Sequence, residues 1–178
     1  MQLASLFAPR AEALAGRSLY ASAAAQARRP ALYAVLGAPD TVEGRFELFT
    51  LHVALLLLRL KGQGERASET SQQLFGSFVR GLDDALREMG VGDVVVGKRM
   101  RKLGEAFYGR MRSYELALAG RPDLAQLEAL IARTVFEGSE GGRPDVLADY
   151  AARAAEGLEA IQLDELLAGR AQWPQVQA

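Results

Sequence analysis

Residues 46–60, FELFTLHVALLLLRL, leave this chain few ways to fold. Their apolar side chains cover every side of a helical wheel instead of one stripe, so a helix built from them must be enclosed by other helices. The run falls short of the ~20 apolar residues a bilayer span needs, and Glu47, His52 and Arg59 interrupt it. The helix is predicted over about 42–60. Pro39-Asp40-Thr41 marks its start, where Asp40 and, three residues on, Glu43 have the logic of a capping box. Gly62-Gln63-Gly64 ends it. The expected fold is all-α, a single domain over residues 1–178 with about six to seven helices bundled around this apolar centre.

Helix-forming residues dominate the rest, and the one β-branched run of three is Val94-Val95-Val96. A first helix is predicted over about 10–27, with a short helical turn after Pro30. Another spans about 66–89, with Phe75, Phe78, Val79, Leu82, Leu86 and Met89 on one face. Gly90-Val91-Gly92-Asp93 then turns the chain. Gly90 suits the left-handed position that closes a helix, and Asp93 can cap the next through its carboxylate. The following helix, about 94–119, carries a regular stripe of Val96, Met100, Leu103, Phe107, Met111, Tyr114 and Leu118. Lys98, Arg101 and Arg112 fall opposite that stripe, while Arg99 and Arg110 border it, placed to pair with acids. Gly120-Arg121-Pro122 precedes a helix over about 123–136, and a surface loop, GSEGGR, precedes one over about 144–160. A final turn is expected at 163–167, with a frayed end from Ala171.

At 178 residues the chain can bury one sizeable core, and its hydrophobic content of 49% is that of an ordinary globular protein. No cysteine is present, which excludes disulfides, thiolate metal sites and cysteine nucleophiles. A net charge of −1 argues against wholesale attraction to nucleic acid or anionic lipid. The charge is nonetheless uneven. Lys98, Arg99, Arg101, Lys102, Arg110 and Arg112 face only Glu105, whereas residues 137–165 carry eight acids against Arg143 and Arg153. The two regions either pair within the fold, stay solvated, or orient a partner. Residues 1–29, rich in Ala, Ser and Leu and with Arg10, Arg17, Arg28 and Arg29 against Glu12, have the composition of an organelle transit peptide. They read better as the first amphipathic helix.

No group of residues carries an enzyme signature. His52, the single histidine, has Leu48, Phe49, Leu55 and Leu56 as its helical neighbours and reads as a buried structural group bonded to backbone or an acid. A lone imidazole makes a poor metal site. Asp83, Asp84, Glu88 and Asp93 cluster beside the turn, but Arg80, Arg87, Lys98 and Arg99 share the segment, so salt bridges and caps account for them. GVGD lacks the preceding strand and the GK[ST] ending of a phosphate loop. Of the aromatics on the basic helix only Tyr108 lies off the core stripe, too little for specific nucleic-acid binding.

Three segments carry a likeness to a known family. They are ARRPALY (27–33) running into APDTVEGRFE (38–47), LHV (51–53) continuing to LRL (58–60), and LREMGVGD (86–93) followed by Lys98-Arg99-Met100 and AFYGR (106–110). In that order and spacing they resemble the ubiquinol–cytochrome c chaperones, with the clearest likeness over about 20–114. The resemblance implies a helical, non-enzymatic assembly factor without a cofactor. It would bind newly made cytochrome b during biogenesis of ubiquinol–cytochrome c reductase. It also implies a cytoplasmic protein of bacterial type acting peripherally at the inner membrane surface, with a small partner protein or the ribosome exit region as further contacts. The docking surface expected from it comprises Arg45, Arg87, Gly90, Gly92, Asp93, Lys98, Arg99, Tyr108 and Arg110. Gly76, Gly81 and the pair Arg133-Thr134 depart from the family pattern and leave room for a shifted client. The alternative is a helical binding module for another membrane-protein client or a small ligand such as haem.

Overall fold

A computed structural model describes residues 11–137, 139 and 141–176. These form eight α-helices and no strand: α1 (Ala11–Ala27), α2 (Pro30–Ala34), α3 (Val42–Leu60), α4 (Glu65–Glu88), α5 (Asp93–Ala119), α6 (Ala125–Thr134), α7 (Pro144–Ala160) and α8 (Leu163–Leu167). The all-α expectation holds, with α2 and α8 as single short turns beside six longer helices. Arg10, Glu140 and part of the GSEGGR loop lie outside the described residues.

α3 is the axis of the bundle. It packs against α1, α4, α5 and α7, and its buried residues, among them Leu48, Leu51, Val53, Leu56 and Leu60, point to all sides. Each such aliphatic side chain contributes about 1.5–3 kcal/mol when taken from water. The polar interruptions are absorbed. Arg59 donates from Nε to the Leu158 carbonyl at 2.9 Å and from Nη2 to the Ile161 carbonyl at 2.9 Å, satisfying the open end of α7. The helix starts differently from the capping-box reading. Thr41 is the cap, its Oγ1 accepting from the Gly44 amide at 3.0 Å, while Asp40 is drawn off to pair with Arg45. Thr41 sits one residue nearer the first turn, so its short hydroxyl reaches the amide.

α4 and α5 form the expected hairpin. Gly90 takes φ +77°, and the Val91 amide donates to the Leu86 carbonyl at 3.1 Å, closing α4 as a left-handed glycine cap does. Asp93 does not cap α5. Gly92 occupies the cap position and Asp93 is already helical, its carboxylate turned back to the Arg87 guanidinium. The apolar face of α4 is only partly covered. Leu74 and Phe78 are buried, but Leu82 is half-buried and Met89 is 54% exposed.

The C-terminal segment is not frayed over its described residues. Trp173 donates from Nε1 to Ser22 Oγ at 2.9 Å and sets its ring edge-on to His52, centroids 4.9 Å apart. An indole with an available hydroxyl partner holds an irregular segment that helix periodicity cannot foresee.

Candidate functional site

The last turns of α4 run past the C-terminal half of α1, where the side chains are Ala24 and Ala27. Alanine is too short to reach across, so an open apolar groove of about 850 Å³ remains. Phe46 at the start of α3, Leu82 and Met89 of α4, and Leu103 of α5 supply its other apolar walls. Arg28, Glu43, Arg45, Glu47 and Glu137 stand around it. Its volume falls within the range of sites that hold ligands.

Local sequence builds this groove. At Gly44 an added Cβ would lie 2.2 Å from the Pro39 carbonyl oxygen, so only glycine lets the strand-like segment before α3 fold back against the helix. That approach brings Arg45 Nε to 2.6 Å from Asp40 Oδ1, with both side chains more than half exposed. The hydrogen bond from Arg45 holds the Asp40 carboxyl below its usual range. Tyr33, also on the groove wall, donates to the Ala27 carbonyl at 2.7 Å, and burial pushes its phenol up. At the groove's base Arg110 holds Glu47 in a bidentate pair, 3.0 Å for both contacts. The hydrogen bond to Glu47 raises the Arg110 pKa.

The nine residues expected at a docking surface do not form one patch. Arg45 is on the groove rim and Arg110 beneath it. By helical spacing Arg99, Leu103 and Arg110 share one line of α5, so Arg99 lies on the groove side. Arg87, Gly90, Gly92 and Asp93 form the hairpin tip, where Arg87 binds Asp83 at 2.7 Å and also Asp93. Lys98 is exposed and makes no ion pair among the described residues. Tyr108 is on the other side of α5, its ring 5.6 Å from that of Phe75, beside a smaller hollow of about 380 Å³. Sequence reasoning missed Ala24, Ala27 and Phe46 and placed Leu82 and Leu103 in the core, whereas Leu86 is buried as read. The available signal was an alanine run on α1 facing large side chains on α4.

His52 is fully buried, as expected, and bonded at both nitrogens. Nδ1 donates to the Leu48 carbonyl at 2.7 Å, which leaves Nε2 to accept from the Tyr150 hydroxyl at 2.8 Å. Gln26 Nε2 donates to Tyr150 in turn, at 2.8 Å. Burial pushes the imidazole pKa down to about 4. The ring is therefore neutral and fully engaged, and a haem iron could reach it only by unmaking this chain. Among the described residues no cluster of acids and histidine could hold a metal. Nor is any helix there long and apolar enough to cross a membrane.

The two charged regions do not pair with each other among the described residues. The acids bind other arginines, Glu159 to Arg121 at 2.7 Å across 38 residues, and Asp149 to Arg153 at 2.8 Å and Glu165 to Arg170 within a turn. Among the described residues, Arg110 is the one member of the basic stretch with an ionic partner, Glu47.

A sequence model of the family described as ubiquinol-cytochrome C chaperone matches residues 34–173, most of the chain and all of the groove's α3–α5 wall. The chain belongs to that family. Its fold is shared with the crystal structure of the Cbp3 homolog from Brucella abortus, at a TM-score of 0.86, 32% identity and 98% coverage of both chains. It is also similar to ubiquinol-cytochrome-c reductase complex assembly factor 1 from Xenopus laevis, 23% identical over 131 residues. That match takes in 72% of this chain, which spans 64% of the frog protein's length. The family is one of chaperones and assembly factors, not of enzymes.

Proposed function

We propose that this chaperone-family protein binds newly made cytochrome b, covering an apolar helical segment in the groove between α1, α3, α4 and α5 during assembly of ubiquinol–cytochrome c reductase. The observation that carries the reading is the groove itself. It combines apolar walls with a rim of both charge signs, and a membrane protein awaiting its haem exposes apolar helices that need cover. Apolar contact supplies affinity and charged rims steer encounter. Met89, flexible and 54% exposed, suits a surface that must fit client side chains of differing shape. Arg45 lines the opening and Arg99 lies one turn before Leu103 on the same line of α5, so both would meet polar ends of the segment. With such a client the site of action is the cytoplasmic face of the inner membrane.

Deleting the gene in its native host and recording reduced-minus-oxidised spectra of the membranes tests the reading. Loss of the b-type haem signal of the reductase, restored by a plasmid copy but only weakly by Arg45→Glu/Arg99→Glu, is the expected result. An unchanged spectrum with normal reductase content refutes cytochrome b as the client. Full restoration by the double variant removes Arg45 and Arg99 from the interface.

A further inference from the structure

α5 has a second face, turned away from both the core and the groove, that the chaperone reading leaves without a role. Lys98, Arg101, Lys102 and Arg112 are exposed there, and none makes an ion pair among the described residues. Elsewhere Arg45, Arg66, Arg87, Arg110, Arg121, Arg153 and Arg170 hold carboxylates, and Arg59 and Arg80 bond carbonyls or a hydroxyl. Glu105 is the one acid between Lys98 and Arg112 in the sequence. The same face presents aliphatic side chains to water, Val95 at 46% and Leu116 at 62% exposure. Val95 is flanked at helical spacing by Lys98 and Lys102, and Leu116 follows Arg112 by one turn. From Val95 to Leu116 the face runs straight for about 32 Å.

We propose that this outer face of α5 docks the protein on an anionic lipid bilayer, lying in the plane of the headgroups. An interfacial helix of this kind sets aliphatic groups into the headgroup boundary and holds phosphates with flanking Lys and Arg. RNA fits the face less well. Tyr108, the one exposed aromatic on α5, leans toward Phe75 and Phe107 at 5.6 and 6.1 Å, and a single ring is a short platform where single-strand binders use several. The exposed Val95 and Leu116 have no task against a phosphate backbone. The inference deepens the proposed function by naming the surface that would bring the groove to a membrane-bound client, and it rests on that reading only for its biological purpose.

Co-sedimentation of the full chain with vesicles, without client, tests the surface alone. Vesicles of phosphatidylcholine with about a third phosphatidylglycerol are expected to bind the protein, and those of phosphatidylcholine alone to leave it in solution. At about fivefold per cation, Lys98→Gln/Arg101→Gln/Lys102→Gln should lower partitioning roughly a hundredfold. These side chains are exposed and hold no carboxylate among the described residues, so the helical circular dichroism should not change. Val95→Ser/Leu116→Ser should weaken partitioning independently, with all charges kept. Equal partitioning of wild type and either variant overturns the proposal, as does failure of the wild type to bind the anionic vesicles. Displacement from those vesicles by a single-stranded RNA at lower phosphate concentration assigns the face to nucleic acid and overturns it too. A normal vesicle result alongside an unchanged deletion spectrum would leave the surface standing and remove cytochrome b as client.

Discussion

Removing the guanidinium of Arg110 isolates the interaction that holds the base of the groove. The Glu47 side chain is 11% exposed and that of Arg110 28%, so the pair is neither a surface bridge nor a fully interior one. Surface pairs are worth about 0–1 kcal/mol, whereas stripping one partner from a buried pair costs about 3–5 kcal/mol. Arg110→Ala should therefore destabilise by about 2–3 kcal/mol, mostly because the Glu47 carboxylate is left desolvated without a donor. Glu47→Leu in the same background removes that stranded charge, and the double variant should return to within about 1 kcal/mol of wild type. The coupling between the sites should then be about 1.5–2 kcal/mol in a double-mutant cycle. For a domain of this size the single variant should melt about 4–12 °C lower. Urea and thermal unfolding followed by circular dichroism at the helical minimum supply all four corners. A loss below about 0.5 kcal/mol for Arg110→Ala, or simple additivity, would refute the view that this pair holds the groove.

The buried imidazole makes stability pH-dependent. Above its ordinary pKa of 6.5, His52 is neutral folded or unfolded, and its contribution to stability is constant. As pH falls towards about 4 the unfolded chain takes up a proton that the folded chain refuses, so stability drops by up to about 3 kcal/mol. Urea midpoints between about pH 7 and pH 4.5 should fall more steeply for wild type than for His52→Gln, and parallel slopes would sink the argument. Trp173→Ala removes a half-buried indole that covers His52 and bonds Ser22, and should destabilise by about 2 kcal/mol. A change below about 0.5 kcal/mol would mean that the C-terminal segment does not brace the bundle.

Much of the fold was legible in local pattern. The limits of α3 and α7 were read to the residue, because a Pro or a polar cap stands at each start and a break in periodicity at each end. α6 was read two residues too long at either end. Asp123 accepts from the Ala125 amide at 3.0 Å ahead of the helix, and residues 135 and 136 are buried in the turn that follows. The Gly81 departure from the family pattern was not legible locally: an added Cβ would lie 2.1 Å from the hydroxyl of Tyr20, which reaches across from α1.

The candidate site was legible only in fragments. Arg45 and Arg110 were singled out and belong to the groove, but Lys98 and Tyr108 face elsewhere, since charge and exposure say nothing of which neighbour lies opposite. Met89 and Leu82 look like core from their spacing on α4, yet they border open space because α1 offers only Ala24 and Ala27 there.

By itself the sequence determined that this chain is helical, that α3 lies at its centre, and that its family is one of assembly chaperones. Those properties rest on periodicity, caps and motif order, all of which are local to the chain. Tertiary structure alone decided where the groove opens, that Arg110 reaches Glu47 across 63 residues, and that Tyr150 and Trp173 close over His52. Each depends on which side chains meet across helices distant in sequence, and a helix's own period cannot name its partner.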